Sequence, residues 1–228
     1  MLADRVEQIR ETLKKESAPY GRPPRLIAVT KTVPVDQILP LQALGVTDIA
    51  ENRVQALREK LPALEGKFSI HLIGRLQTNK VKYIMKDVSL IHSVDREELA
   101  AEIDRQAERA GRVMPVLLQV NVAGEAQKGG VSPEGLDGLF SFCEGLGHLS
   151  VRGLMTMLPL GAKESESLRW FSDVRELLAR LQDRAKQPEL LTELSMGMSQ
   201  DYALAARAGA TMVRVGRALF DETMPIGH

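Results

Sequence analysis

Lys31, Arg214 and the serines Ser195 and Ser199 are the side chains whose type and placement suit chemistry. Lys31 closes the run Arg25-Leu26-Ile27-Ala28-Val29-Thr30-Lys31, bounded by Pro23-Pro24 and by Pro34. A short apolar run with such ends has the pattern of a strand buried on both faces. An ammonium at its end either snorkels to water or sits in a partly desolvated cleft, where its pKa falls and the amine condenses with a carbonyl. Ser195-Met196-Gly197-Met198-Ser199 and Val215-Gly216-Arg217 each place a glycine before a helical segment. Backbone N–H groups at such sites suit an anion, although either glycine alone would serve equally as a tight turn. Arg214 lies two residues before Gly216, on the same side of its strand. It either pairs with a carboxylate inside the protein or offers a donor-only guanidinium to a ligand.

These residues need elements to hold them. Leu2, Val6, Ile9 and Leu13 recur at helical spacing, predicting an N-terminal helix over about residues 2–17. Beyond it, apolar runs alternate with helical stretches: strands at 25–31, 46–50, 68–73, 88–94, 115–121, 149–155, 194–197 and 212–216. The intervening helices are expected over 34–44, 53–61 (stopped by Pro62), 76–85, up to Gly111, from Ser132-Pro133 through Cys143, along 168–181, over 202–208 and from Arg217. Asp95 and Glu98 have capping-box spacing, and Gly124, Gly129 and Gly130 mark a glycine-rich loop. Eight strands alternating with helices in 228 residues predict a single (β/α)8 TIM-type barrel with an extra N-terminal helix, the barrel over about 25–220. No G-x-G-x-x-G follows the first strand to favour a doubly wound sheet. No composition shift marks a second domain, so residues 1–228 are expected to form one.

Thirty basic and thirty acidic side chains balance, which argues against a general nucleic-acid binder or a polybasic membrane anchor. No stretch approaches the roughly 20 apolar residues of a membrane span, and the charged N-terminus does not resemble a signal peptide. The single cysteine, Cys143, falls on an apolar helical stripe and fits a reducing compartment; a cytoplasmic protein is expected. Lys80, Lys82 and Lys86 have the spacing of a solvated helix face, and His71 that of a barrel-lining residue.

In a barrel of this kind the functional face lies at the strand C-termini, and phosphate sites often form from the loops after strands seven and eight. Here these loops contain Ser195, Ser199, Gly216 and Arg217, and Lys31 ends strand one. An amine and a phosphate cradle on one face suggest pyridoxal 5′-phosphate (PLP). If Arg214 meets the ring nitrogen it can only donate, which leaves that nitrogen unprotonated and the ring a weaker electron sink.

The motifs Ala28-Val-Thr-Lys-Thr32, Glu51-Asn-Arg-Val-Gln55, His71-Leu-Ile-Gly-Arg-Leu-Gln-Thr-Asn-Lys80, Gly153-Leu-Met-Thr-Met157, Leu194-Ser-Met-Gly-Met-Ser199 and Val213-Arg-Val-Gly-Arg-Ala-Leu-Phe220 resemble the pyridoxal phosphate homeostasis proteins of the YggS/PROSC type. The resemblance runs from about Arg25 to Phe220 and extends to the barrel domain of bacterial alanine racemase. It implies that Lys31 carries PLP as an imine, that Arg214 faces the ring nitrogen, that Asn52 and Met155 line the ring, and that Ser195, Ser199, Gly216 and Arg217 surround the phosphate. Arg217 stands where many members have Thr or Ser, and Asp221 replaces a usual Gly. Arg217 would contribute either side-chain charge or a backbone N–H.

A racemase needs acid–base groups on both faces of the bound ring. Lys31 would serve one, but Tyr20, Tyr83 and Tyr202 fall in none of the strand-end motifs. The resemblance therefore implies a non-enzymatic PLP carrier that keeps the free aldehyde low and supplies apo PLP-dependent enzymes. A PLP-dependent racemase or lyase with a small substrate, or a lysine-imine aldolase, is the alternative. No charge or apolar block marks an oligomer interface, and a monomer is expected.

Overall fold

The computed structural model describes residues 1–125 and 129–224. Eight parallel strands close into a barrel in sequence order, with β1 pairing β8. They are β1 Arg25–Val29, β2 Asp48–Glu51, β3 Ser69–Leu72, β4 Leu90–Val94, β5 Met114–Val120, β6 Leu149–Thr156, β7 Glu193–Ser195 and β8 Met212–Val215. The helices are α1 Leu2–Glu16, α2 Val35–Ile38, α3 Val54–Leu64, α4 Glu97–Arg109, α5 Leu136–Glu144, α6 Glu164–Gln182, α7 Tyr202–Arg207 and α8 Arg217–Phe220.

The strands read as apolar runs because most of their residues are covered on both faces. Outward side chains such as Leu26, Ala28, Val213 and Val215 join the large core under the helices. Inward ones form a separate small layer of Ile27, Ala50, Leu90, Leu117, Met155 and Met212. Helix α8 has only four residues and cannot cover the last strand. The N-terminal helix does so instead: Val6, Ile9 and Leu13 are buried against the outer core, with α1 packed on α7 and α8. Arg5 on α1 donates to the carbonyls of Ala218, Glu222 and Met224.

The outer layer departs from expectation where side-chain chemistry opposes an α-helix. The stretch expected over 34–44 is one α turn followed by a 3₁₀ turn at Leu39–Leu41. Pro40 lacks an N–H and crowds the preceding turn. The stretch expected over 76–85 is a 3₁₀ segment at Thr78–Tyr83, built from the weak helix formers Thr78, Asn79 and Val81. Pro62 does not stop α3, which runs through it to Leu64. The Asp95–Glu98 capping box does not form, because Arg96 is the N-cap and Asp95 instead accepts from Arg96 at 2.7 Å. Helix α5 begins at Leu136, after a turn in which Ser132 Oγ accepts from the Gly135 N–H. The glycine-rich loop lies partly outside the described residues, at 126–128.

Strand β6 holds a register shift against β5, between the pairs Val116–Val151 and Leu117–Gly153. The extra residue turns Met155 inward. Gly153 allows it: its φ is +148°, and a Cβ there would meet the Glu193 carbonyl oxygen at 1.9 Å. Gly153→Ala is expected to cost about 3 kcal/mol or more, read in thermal unfolding as a midpoint lowered by roughly 6–12 °C.

Candidate functional site

A cleft of about 860 Å³ opens at the C-terminal ends of the strands. Its lining includes Lys31, Asn52, Arg75, Asp95, Gln119, Met157, Ser199, Arg214, Gly216 and Arg217. Every one lies at or just past a strand end, so the barrel brings together residues far apart in sequence.

Lys31 is exposed on the cleft wall, in the turn after β1. The backbone that carries it is fixed from several directions. Thr30 N–H donates to the Ala50 carbonyl at 3.0 Å, and Thr30 Oγ1 donates to Glu51 Oε1 at 2.7 Å. Lys60 Nζ, from α3, donates to the Thr30 carbonyl at 2.6 Å and to Glu51 Oε1 at 2.7 Å. Glu51 is fully buried and its Oε2 has no partner. Lys31 is thus an exposed amine on a stem held by hydrogen bonds.

Arg214 forms part of the cleft floor and is 2 % exposed. Its Nη1 donates to Ser195 Oγ at 2.7 Å and its Nη2 to the Thr156 carbonyl at 2.8 Å. Among the described residues no carboxylate stands within ion-pair distance of it. Burial lowers its pKa to about 10, so it keeps its charge at neutral pH. A guanidinium has five N–H groups, and those not engaged inside the barrel can serve a ligand.

The rim beside Arg214 is built from the loop after β7 and the start of α8. Ser199 Oγ accepts from the N–H groups of Gly216 and Ala218, both at 3.2 Å. Arg217 is exposed alongside. Gly197, whose φ is +89°, makes the turn that brings Ser199 there; a Cβ on it would stand 2.5 Å from Ala205 Cβ.

Beneath the floor, His92 Nδ1 lies 2.9 Å from Ser195 Oγ and His92 Nε2 lies 2.8 Å from His71 Nδ1. His71 Nε2 is 3.0 Å from Asp48 Oδ1. Burial above all, then His71, Arg214 and Arg25, holds His92 well below the ordinary histidine value of 6.5. Burial by itself would raise the Asp48 carboxyl, but hydrogen bonds from His71 and Thr47 and the nearby Arg25 hold it below its ordinary value.

Comparison with known proteins places this architecture. The family "Alanine racemase, N-terminal domain" matches residues 3–223. The pyridoxal phosphate homeostasis protein of Aquifex aeolicus is 42% identical over 223 residues, covering 96% of this chain and 97% of the relative. The chain belongs to the pyridoxal phosphate homeostasis protein family. The homeostasis protein of Deinococcus radiodurans is 44% identical over 86% of this chain and 88% of its own. PipY of Synechococcus elongatus, solved with PLP bound, superposes with a TM-score of 0.85 at 36% identity, covering 96% of this chain and 100% of PipY. The alanine racemase of Corynebacterium glutamicum, at 17% identity and a TM-score of 0.71 over 95% of this chain and 60% of its own, shares the fold.

The residues of this homeostasis-family chain suit the cofactor named for PipY. Two backbone N–H groups orient the Ser199 hydroxyl at the rim beside an exposed arginine, which leaves the hydroxyl hydrogen and the guanidinium to donate to an oxyanion. The Lys31 amine lines the same cleft, and the donor-only Arg214 guanidinium forms its floor. Of the residues expected from the sequence, Lys31, Asn52, Ser199, Arg214, Gly216 and Arg217 line this one cleft. Ser195 and Met155 do not. Ser195 is fully buried below the floor, its hydroxyl engaged by Arg214 and His92, so it stands apart from the phosphate rim. Met155 belongs to the apolar layer inside the barrel; β6 continues past it, and Met157 is the methionine that reaches the cleft. Arg75, Asp95 and Gln119 also line it. For Arg75, the signal was its place immediately after the strand-end Gly74. Cys143 is buried in the core, where burial first and then Glu97 push its thiol up to about 12.

Two outcomes follow from these buried groups. Replacing Lys60 with Met strands the Glu51 carboxylate in the core. It should cost about 3 kcal/mol in urea unfolding, and a Lys60→Met/Glu51→Leu double variant should recover part of this loss. For His92 the folded pKa is below the unfolded one. As pH falls below 6.5, the unfolded chain takes up a proton that the folded chain refuses, so stability falls. Urea midpoints between pH 7.5 and 5 should therefore decline, by up to about 1.4 kcal/mol per pH unit, and His92→Asn should flatten that decline. Asp48 acts lower: its contribution is present above the ordinary carboxyl value and is lost as pH falls through its depressed one.

Proposed function

We propose that this protein is a single-domain carrier of PLP in intracellular vitamin B6 homeostasis: it holds the cofactor in the cleft, buffers it and delivers it to apo PLP-dependent enzymes. The observation that carries the reading is the pairing of Lys31 with Arg214 in one cleft: an exposed amine on a hydrogen-bonded stem, with a buried guanidinium that makes no direct ion pair among the described residues. The PLP-bound PipY supports it at 36% identity, as do the homeostasis relatives. PLP, when bound, supplies an aldehyde and an electron-withdrawing ring.

In this reading Lys31 supplies the amine for a reversible covalent hold on the aldehyde. The Ser199 hydroxyl, the Arg217 N–H and the charge of Arg217 bind the phosphate, and Gly216 lets the backbone come close to it. Asn52 flanks the ring, and Arg214 offers an N–H to the ring nitrogen. A guanidinium has no proton to give up near neutral pH, so the nitrogen stays unprotonated and carbanion chemistry is held back. The tyrosines agree with holding rather than turnover. Tyr20 and Tyr83 are exposed away from the cleft, Tyr202 is buried in the outer core, and none lines the cleft. No helix among the described residues is long and apolar enough to cross a membrane; in this reading the carrier acts as a cytoplasmic monomer.

Purified protein should take up PLP and turn yellow. Borohydride reduction should fix a pyridoxyl mass on the Lys31 peptide, and Lys31→Ala should abolish this label. Loaded protein should activate an apo PLP enzyme faster than its own spontaneous release of PLP allows. No PLP uptake, a label on another lysine, or amino-acid turnover at about 1 s⁻¹ or more would each overturn the proposal.

A further inference from the structure

His71, His92, Ser195 and Arg214 come from β3, β4, β7 and β8 and meet inside the barrel, in an interior whose other layer is apolar. All four are buried. Their contacts form one series from the N-terminal mouth to the cleft floor, with a single longer side contact where Ser69 Oγ lies 3.4 Å from His71 Nε2. Asp48 Oδ1 is 3.0 Å from His71 Nε2, His71 Nδ1 is 2.8 Å from His92 Nε2, His92 Nδ1 is 2.9 Å from Ser195 Oγ, and Ser195 Oγ is 2.7 Å from Arg214 Nη1. At the lower end Asp48 is also 3.6 Å from the half-exposed Arg25. Polar groups in such surroundings are costly unless each is satisfied.

The direction of every hydrogen in this series follows from its upper end. A guanidinium only donates, so Ser195 Oγ accepts from Arg214. The hydroxyl has a single hydrogen, and His92 Nδ1 is the acceptor within reach. His92 therefore carries its proton on Nε2 and donates it to His71 Nδ1. His71 in turn carries its proton on Nε2 and donates it to the Asp48 carboxylate. Both imidazoles are neutral and both are Nε2–H tautomers. Any other assignment strands a hydrogen: were His92 to present Nδ1–H, Ser195 would accept twice and its own hydrogen would have no partner.

From this geometry we infer that Asp48, His71, His92 and Ser195 are positioning residues that hold the Arg214 guanidinium on the cleft floor through a one-way hydrogen-bond chain spanning the barrel. The role of Arg214 toward PLP rests on the function proposed above; the chain itself does not. Ser195, expected at the phosphate rim, acts here as the hinge of the chain, because it alone converts a donor-only neighbour into a proton for a histidine.

The test uses ligand-free protein labelled with ¹⁵N at histidine and arginine, at pH 7.5. Long-range ¹H–¹⁵N correlations should show His71 and His92 with bare Nδ1 and protonated Nε2, and a resolved Arg214 side-chain N–H signal slow to exchange. Ser195→Ala should let an Nδ1–H population of His92 appear and should broaden or abolish the Arg214 signal. Asp48→Asn, whose amide oxygen still accepts, should keep both wild-type tautomers. With PLP added, Ser195→Ala should weaken binding at least fivefold and shift the absorption maximum, and Asp48→Asn, which keeps an acceptor for His71, should weaken it less than Ser195→Ala does. An Nδ1–H or cationic imidazole in the wild type, or an Arg214 signal unchanged by folded Ser195→Ala protein, would overturn the inference. If the wild type takes up no PLP, the proposed function fails while the apo spectra still decide the chain.

Discussion

A positive charge that cannot be neutralised near physiological pH is buried at the top of a closed barrel, and the interior is arranged around it. Arg214 makes no direct ion pair among the described residues, and the charge of Asp201 offsets only part of its desolvation. Instead it donates to Ser195 and to the Thr156 carbonyl, and what lies above it is open cleft. A buried cation whose hydrogen bonds go to neutral acceptors is less costly when a ligand brings electron density to its free face. The requirement explains why polar residues from four other strands occupy the barrel interior, where a simpler barrel of this size would hold branched aliphatics.

A second buried charge, outside the barrel wall, has a different task. Lys60 pairs with Glu51 Oε1 and donates to the Thr30 carbonyl, while Thr30 Oγ1 donates to Glu51, so the residue before Lys31 is held by both β2 and α3. The free ammonium of Lys31 and the engaged one of Lys60 show how the same side chain serves opposite ends. One is left exposed to react, while the other is spent on backbone so that the first is presented from a fixed point.

How far the sequence reveals this arrangement depends on how local each constraint is. The strands are legible because a parallel strand covered on both faces is an apolar run whatever its partners are. The cleft residues Lys31, Asn52, Ser199, Arg214, Gly216 and Arg217 were legible because the fold exposes strand ends. Ser195 and Met155 were both taken as the tips of their strands; Ser195 does end β7 but turns its hydroxyl inward, whereas β6 continues past Met155. One residue of strand length or one bulge decides whether a side chain faces the cleft or the interior, and it is set by pairing with distant strands. The His71–His92 contact depends on the register of β3 against β4, to which neither local motif refers. The outer helices were least legible, since Pro40 and the run Thr78–Tyr83 settle for 3₁₀ turns that tertiary packing makes adequate.

The way the barrel shuts has a consequence for its birth on the ribosome. Strand β1 finds one of its two neighbours only in β8, and α1 rests on α7 and α8 with Arg5 gripping carbonyls beyond them. The first elements to emerge from the exit tunnel are thus the last to acquire their partners. Until then, the edge of β1 and the apolar stripe of α1 remain uncovered, and the nascent chain must pass its whole synthesis with that seam exposed to chaperones and to its neighbours on the polysome.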